Sequence, residues 1–104
     1  MRSEVLRGHL DLLTLATLEQ EPAHGYLILE RLRERSGDVF VLAEGTLYPA
    51  LHRLERGGLL ASAWSPGDGR RRRVYRLTRR GRTELAERRS EWSRFSGAVQ
   101  AVVA

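Results

Sequence analysis

The chain has 104 residues, enough for one compact domain and too few for a cofactor domain joined to a substrate domain. It contains no cysteine, which excludes disulfides, thiolate metal sites and cysteine nucleophiles, while 41% hydrophobic and 30% charged residues describe a chain that folds around a modest core. Its net charge of +5 is carried by arginine alone and unevenly: seven Arg stand against ten Asp and Glu through Gly69, eleven Arg against three Glu from Arg70 onward.

The first apolar segment has Leu6, Leu10 and Leu13 at helical spacing and Leu12, Leu15 and Leu18 on a second face, so it predicts one helix buried on two sides and ending before Glu21-Pro22. Glu4 and Asp11 within it argue against a signal peptide, and no segment approaches the roughly 18 uninterrupted apolar residues of a membrane span. A cytoplasmic protein without a membrane partner is expected. A second helix is predicted over Ala23 to Ser36, with Ile28 and Leu32 inward, Glu30, Arg31, Arg33, Glu34 and Arg35 toward solvent, and Gly37 in the left-handed position that follows a helix. The third helix has the clearest pattern: Leu47, Ala50, Leu51 and Leu54 fall at i, i+3, i+4 and i+7. Because Pro49 fits near a helix start, this helix begins within Glu44 to Thr46; it ends at Gly57-Gly58 and turns Tyr48, His52, Arg53 and Arg56 outward.

Beyond it the period changes. Leu59 to Trp64 and Arg72 to Leu77 are predicted strands of a two-stranded hairpin whose tip, Ser65 to Arg71, is rich in glycine and arginine. Thr78 is a predicted N-cap for a last helix of roughly 25 residues, about 35 to 40 Å long. Along that helix Leu85, Trp92 and Val99 recur every seven residues, with Phe95 and Val102 interleaved and Arg88 as the polar exception, a seam suited to another helix. Two large aromatics on an overhanging arm are economically buried by a second copy, with Leu6, Leu10 and Leu13 of the first helix packing alongside.

Three helices followed by a basic hairpin give the order of a winged helix-turn-helix, mainly helical with a small β-hairpin, over residues 1–78, and residues 79–104 add a dimerisation helix. An α-helix fits the major groove of duplex DNA, and the eight arginines between Arg70 and Arg82, with no acid among them, suit flanking phosphates or the minor groove. Arg70, Arg71 and Arg72 are the wing residues expected at DNA; Arg73 shares strand parity with Tyr75 and is expected to be partly structural. Tyr48 is expected at a phosphate or sugar, since Leu47 and Leu51 occupy the buried stripe. Tyr26 suits either a phosphate contact or packing on the neighbouring helix, Thr46 both a cap and a phosphate donor, and His52 either DNA or plain solvent. His9, His24 and His52 match no metal-ligand spacing, and no nucleophile elbow, phosphate loop or carboxylate pair accompanies them, so neither a metal, a cofactor nor an enzymatic activity is expected.

The blocks His24-Gly25-Tyr26, Gly45-Thr46-Leu47-Tyr48-Pro49-Ala50-Leu51-His52-Arg53-Leu54-Glu55, Gly58-Leu59 and Arg72-Arg73-Val74-Tyr75-Arg76-Leu77-Thr78 with Gly81 together resemble the PadR family of bacterial transcriptional regulators, over roughly Gly8 to Gly81. The resemblance implies a homodimeric winged-helix repressor that binds a palindromic operator and is released by a small molecule. It places Tyr26, Thr46, Tyr48 and Arg53 toward DNA, and the chain's extent looks like that of the family's short members. In some of these an aromatic residue of the last helix stacks on flat ligands in a pore at the dimer interface. Trp92, with Phe95 beside it, resembles that position, as a platform for a planar aromatic effector or as interface packing. Outside DNA regulation, a winged-helix protein-interaction module and a non-specific nucleic-acid binder fit the same element order.

Overall fold

The computed structural model describes residues 3–66 and 71–104. Its apolar N-terminal segment forms two helices, not the single one expected: α1 (Ser3–Arg7) and α2 (Leu10–Thr17). The break falls at Gly8, a residue costly inside a helix, and His9 N–H turns back onto the Leu6 carbonyl at 3.0 Å. The elements that follow are β1 (Ala23–His24), α3 (Gly25–Arg35), α4 (Glu44–Arg56), β2 (Leu60–Trp64), β3 (Arg73–Leu77) and α5 (Arg79–Val103).

The second predicted helix loses its first two residues to the sheet. Ala23 and His24 pair with Tyr75 and Val74, so the expected two-stranded hairpin is part of a three-stranded antiparallel sheet of order β1-β3-β2. Each hairpin strand is one residue shorter at its start than predicted. In their register Leu60 faces Leu77, Ser62 faces Tyr75 and Trp64 faces Arg73 on one side of the sheet. The inner end of that row is buried, and the outer end carries Trp64 and Arg73 past the core.

Both helix ends that were expected to use glycine do so. Gly37 has φ +61 after α3 and Gly58 has φ +80 after α4. In each case the next N–H reaches back to the carbonyl three residues before the cap, Asp38 to Arg33 at 2.9 Å and Leu59 to Leu54 at 2.9 Å, which satisfies carbonyls the helix leaves open. α4 starts at Glu44 as expected, behind Ala43 in extended conformation, and buries Leu47, Ala50, Leu51 and Leu54. Pro49 sits one turn inside, where it removes the hydrogen bond to the exposed Gly45 carbonyl.

The core gathers Leu15, Leu18, Ile28, Leu32, the α4 stripe, Leu60, Tyr75, Leu77 and Leu85. Leu85, expected on the seam for a second copy, is therefore inside its own chain, and so is Leu10. Arg31, expected in solvent, folds inward and donates from Nη1 to the carbonyls of Thr17 at 2.8 Å and Glu21 at 3.0 Å, while Arg35 reaches the Ala16 carbonyl at 3.4 Å. Two cations of α3 thus close the negative end of α2. Thr78 caps α5 as expected, accepting from Gly81 N–H at 3.0 Å and donating to the Gly58 carbonyl at 2.7 Å, which ties the end of α4 to the start of α5. The rod of α5 gives the molecule its long dimension, 53 Å against 28 and 21 Å.

Candidate nucleic-acid interface

Once α4 has committed its leucines to the core, the opposite side carries Thr46, Pro49, His52, Arg53 and Arg56 to solvent. Thr46 is the third residue of the helix and does not cap it, because Ala43 holds the cap position and supplies no side-chain bond. Its hydroxyl is thereby left to an outside acceptor at a helix N-terminus, a place that favours anions. Tyr48 is half-buried: its ring lies across Gly25, where a Cβ would stand 2.7 Å from the phenol oxygen. The ring thus packs on the chain, and only part of it remains for a ligand. His52 continues the row, its ring centroid 6.3 Å from that of Tyr48. Tyr26 is 67% exposed, so it does not pack as a core residue.

His24 joins this surface to the wing. Its Nδ1 accepts from Leu27 N–H at 3.2 Å and caps α3, while its Nε2 lies 3.0 Å from Arg72 Nη1. Burial, then the Arg72 and Arg31 charges, hold the imidazole below its ordinary pKa. In the sequence His24 stands out only in the His24-Gly25-Tyr26 block and among three histidines without metal-ligand spacing; its place just before a helical glycine is the signal for the cap. Among the described residues no cluster of His, Asp or Glu forms a metal site.

In the wing, Arg73 is structural as expected. Its Nε donates to Ser62 Oγ at 2.8 Å and its Nη2 lies 3.8 Å from Glu55, which also accepts from Ser62 at 2.6 Å. Arg71 and Arg72 are exposed, and Arg70 lies outside the described residues. Trp64, which the sequence placed merely in a strand, has the Arg71 guanidinium 4.7 Å and that of Arg73 5.2 Å from its ring centroid. An exposed aromatic thus orders two wing cations. Arg76, Arg79 and Arg80 extend the exposed positive charge to the root of α5. Arg53 is engaged within the chain by Asp11 of α2.

A second surface lies between α1, α2 and α5. Trp92 meets His9 edge to face, with centroids 4.8 Å apart, and Phe95 follows at 6.1 Å. Beside them Val5, Leu6, Leu12 and Leu13 line an apolar groove of about 430 Å³. Arg89 closes one side, held by Glu19 in a two-bond pair at 2.8 and 3.1 Å. No helix among the described residues is long and apolar enough to cross a membrane.

Residues 14–87, which span α4, the wing and the start of α5, match the family described as Transcriptional regulator PadR-like family. The chain belongs to that family. A PadR-family regulator is a DNA-binding transcriptional regulator and not an enzyme. A transcriptional regulator of Mycobacterium tuberculosis is 50% identical over 66 residues, covering 64% of this chain and 59% of its own. An uncharacterized protein of Lysinibacillus sphaericus is 33% identical over 94 residues, 89% of this chain and 86% of its own. Among solved structures, a transcriptional regulator from Clostridium thermocellum superposes with a TM-score of 0.90 at 31% identity, over 100% of this chain and 99% of that one. A PadR family regulator from Clostridium difficile gives 0.83 at 34% identity, over 93% and 100%. The winged-helix assignment made from element order holds for this PadR chain, with the small third strand added.

Proposed function

We propose that this PadR-family chain acts in the cytoplasm as a homodimeric repressor of a palindromic operator. Each subunit inserts one α4 into the major groove, two grooves about 34 Å apart are read together, and the wing arginines hold the flanking phosphates. The observation that carries the dimer is the row on α5: Trp92, Phe95, Val99 and Val102 are 41%, 58%, 41% and 85% exposed. Four large apolar side chains in a heptad row on a protruding helix are a surface for a second helix. Leu6 and Leu13, both half-buried, flank the row, whereas Leu10 and Leu85 are already consumed by the core. In a dimer the apolar groove beside Trp92 becomes a lined chamber, and a planar aromatic molecule stacked there shifts the spacing of the two α4 helices and releases the operator.

Selection of bound duplexes from a random pool tests this reading. The expected product is a palindrome with half-sites about one helical turn apart; a pool that stays random removes the repressor reading. The effector is tested in a Trp64→Phe background, where planar aromatic compounds are expected to quench Trp92 fluorescence and lower operator affinity.

A further inference from the structure

Asp11 stands where three helices meet. One carboxylate oxygen takes the Arg53 guanidinium of α4, and Arg88 Nη1 of α5 lies 3.9 Å from the other. Arg88 is itself fixed, its Nε donating to Glu84 one turn earlier at 2.7 Å. The two members of the Asp11 and Arg53 pair are unequally covered: the acid is 21% exposed, the arginine 59%. The carboxylate is the anchored partner, and the guanidinium is the one presented to solvent from the helix that carries Thr46 and His52. Only Nη2 of Arg53 is engaged; Nε and Nη1 have no partner among the described residues. A guanidinium tethered through one N–H of Nη2 loses rotational freedom, and the second Nη2 N–H still forms a two-donor edge with a neighbouring nitrogen, which suits the paired acceptors on the major-groove edge of guanine. An acid set against the operator-reading helix opposes binding by its charge, so an orienting task explains its place better than affinity does.

We propose that Asp11, a residue of α2 outside the helix-turn-helix, is a positioning residue for base readout: it aims Arg53 at a guanine in each operator half-site. The inference rests on the reading of α4 as the operator-reading helix. Its test is a double-mutant cycle of Asp11→Asn and Arg53→Ala, reading the affinity for the selected operator relative to random duplex, and the salt slope of each. Asp11→Asn is expected to lower that ratio about tenfold, chiefly at one guanine of the half-site, with the salt slope unchanged. In the Arg53→Ala background the same change is expected to have no further effect, and the confinement of the loss to one guanine is an outcome that a merely structural pairing, which would weaken the whole half-site, does not produce. Parallel tightening on both duplexes, or an equal loss with and without Arg53, overturns the inference while leaving the operator reading intact. A wild-type protein that prefers no sequence overturns both.

Discussion

At the scale of single residues, the surface around α4 depends on two positions beside it. Gly25 is one. An alanine there sets its methyl 2.7 Å from the Tyr48 oxygen and 2.9 Å from the carbon that bears it, and the ring has to swing aside. Gly25→Ala is expected to cost about 1 kcal/mol, measured by urea unfolding, and less in a Tyr48→Leu background where the obstructing ring is gone. His24 is the other. Its folded pKa lies below the ordinary value of 6.5, so in that window the native state binds fewer protons than the unfolded chain and stability rises with pH. The contribution is complete above the unfolded value and is lost as pH falls through the folded one. His24→Asn keeps a capping acceptor and removes the titration, so its unfolding midpoint is expected to vary less between about pH 7 and 5 than the wild type's.

At the scale of elements, the wing is a sheet whose outer end is organised by an aromatic. Trp64→Leu keeps apolar bulk but removes the π face under Arg71 and Arg73, each such contact being worth about 0.5 to 1 kcal/mol at an exposed site. Duplex affinity by fluorescence anisotropy is expected to fall several-fold in this variant and to remain near wild type in Trp64→Phe, with no change of melting temperature in either. α4 was legible in the sequence because four leucine and alanine positions repeat at one period and Gly58, just past its end, takes a conformation that few other residues adopt. β1 was not, since two residues carry no alternation and their pairing depends on β3, about fifty positions away. Arg31 was misjudged for a related reason: an arginine on a helix surface looks solvated until the fold brings a carbonyl end against it, here Thr17 at a separation of 14. The pairing of Arg53 with Asp11, at a separation of 42, was out of reach for the same reason.

For the whole molecule, the distribution of charge follows the architecture. The acids gather in the helical body, where Glu19, Asp11 and Glu55 each answer an arginine. Among the described residues, Arg71, Arg72, Arg76, Arg79 and Arg80, along the wing and the root of α5, have no acid paired to them. Net charge alone pointed to an acidic partner; the fold separates the cations spent on holding helices together from those left for phosphates. The two-sided N-terminal segment was legible as a buried element, yet its division at Gly8 decides what it does: α2 seals the core, and α1 stands over the groove beside Trp92.

The length of α5 has a consequence for how the chain folds. Past Phe95 every position except Ser96 is exposed, and the stretch from Ser96 to Val103 includes a glycine and three valines, poor helix formers. An exposed segment of about two turns with such residues gains little from continuing a helix, and it is expected to fray in a lone subunit. Helical content then becomes a property of protein concentration. Far-UV circular dichroism is expected to report more helix per residue as the chain is concentrated through its self-association range, and to lose that dependence in a Val99→Asp variant.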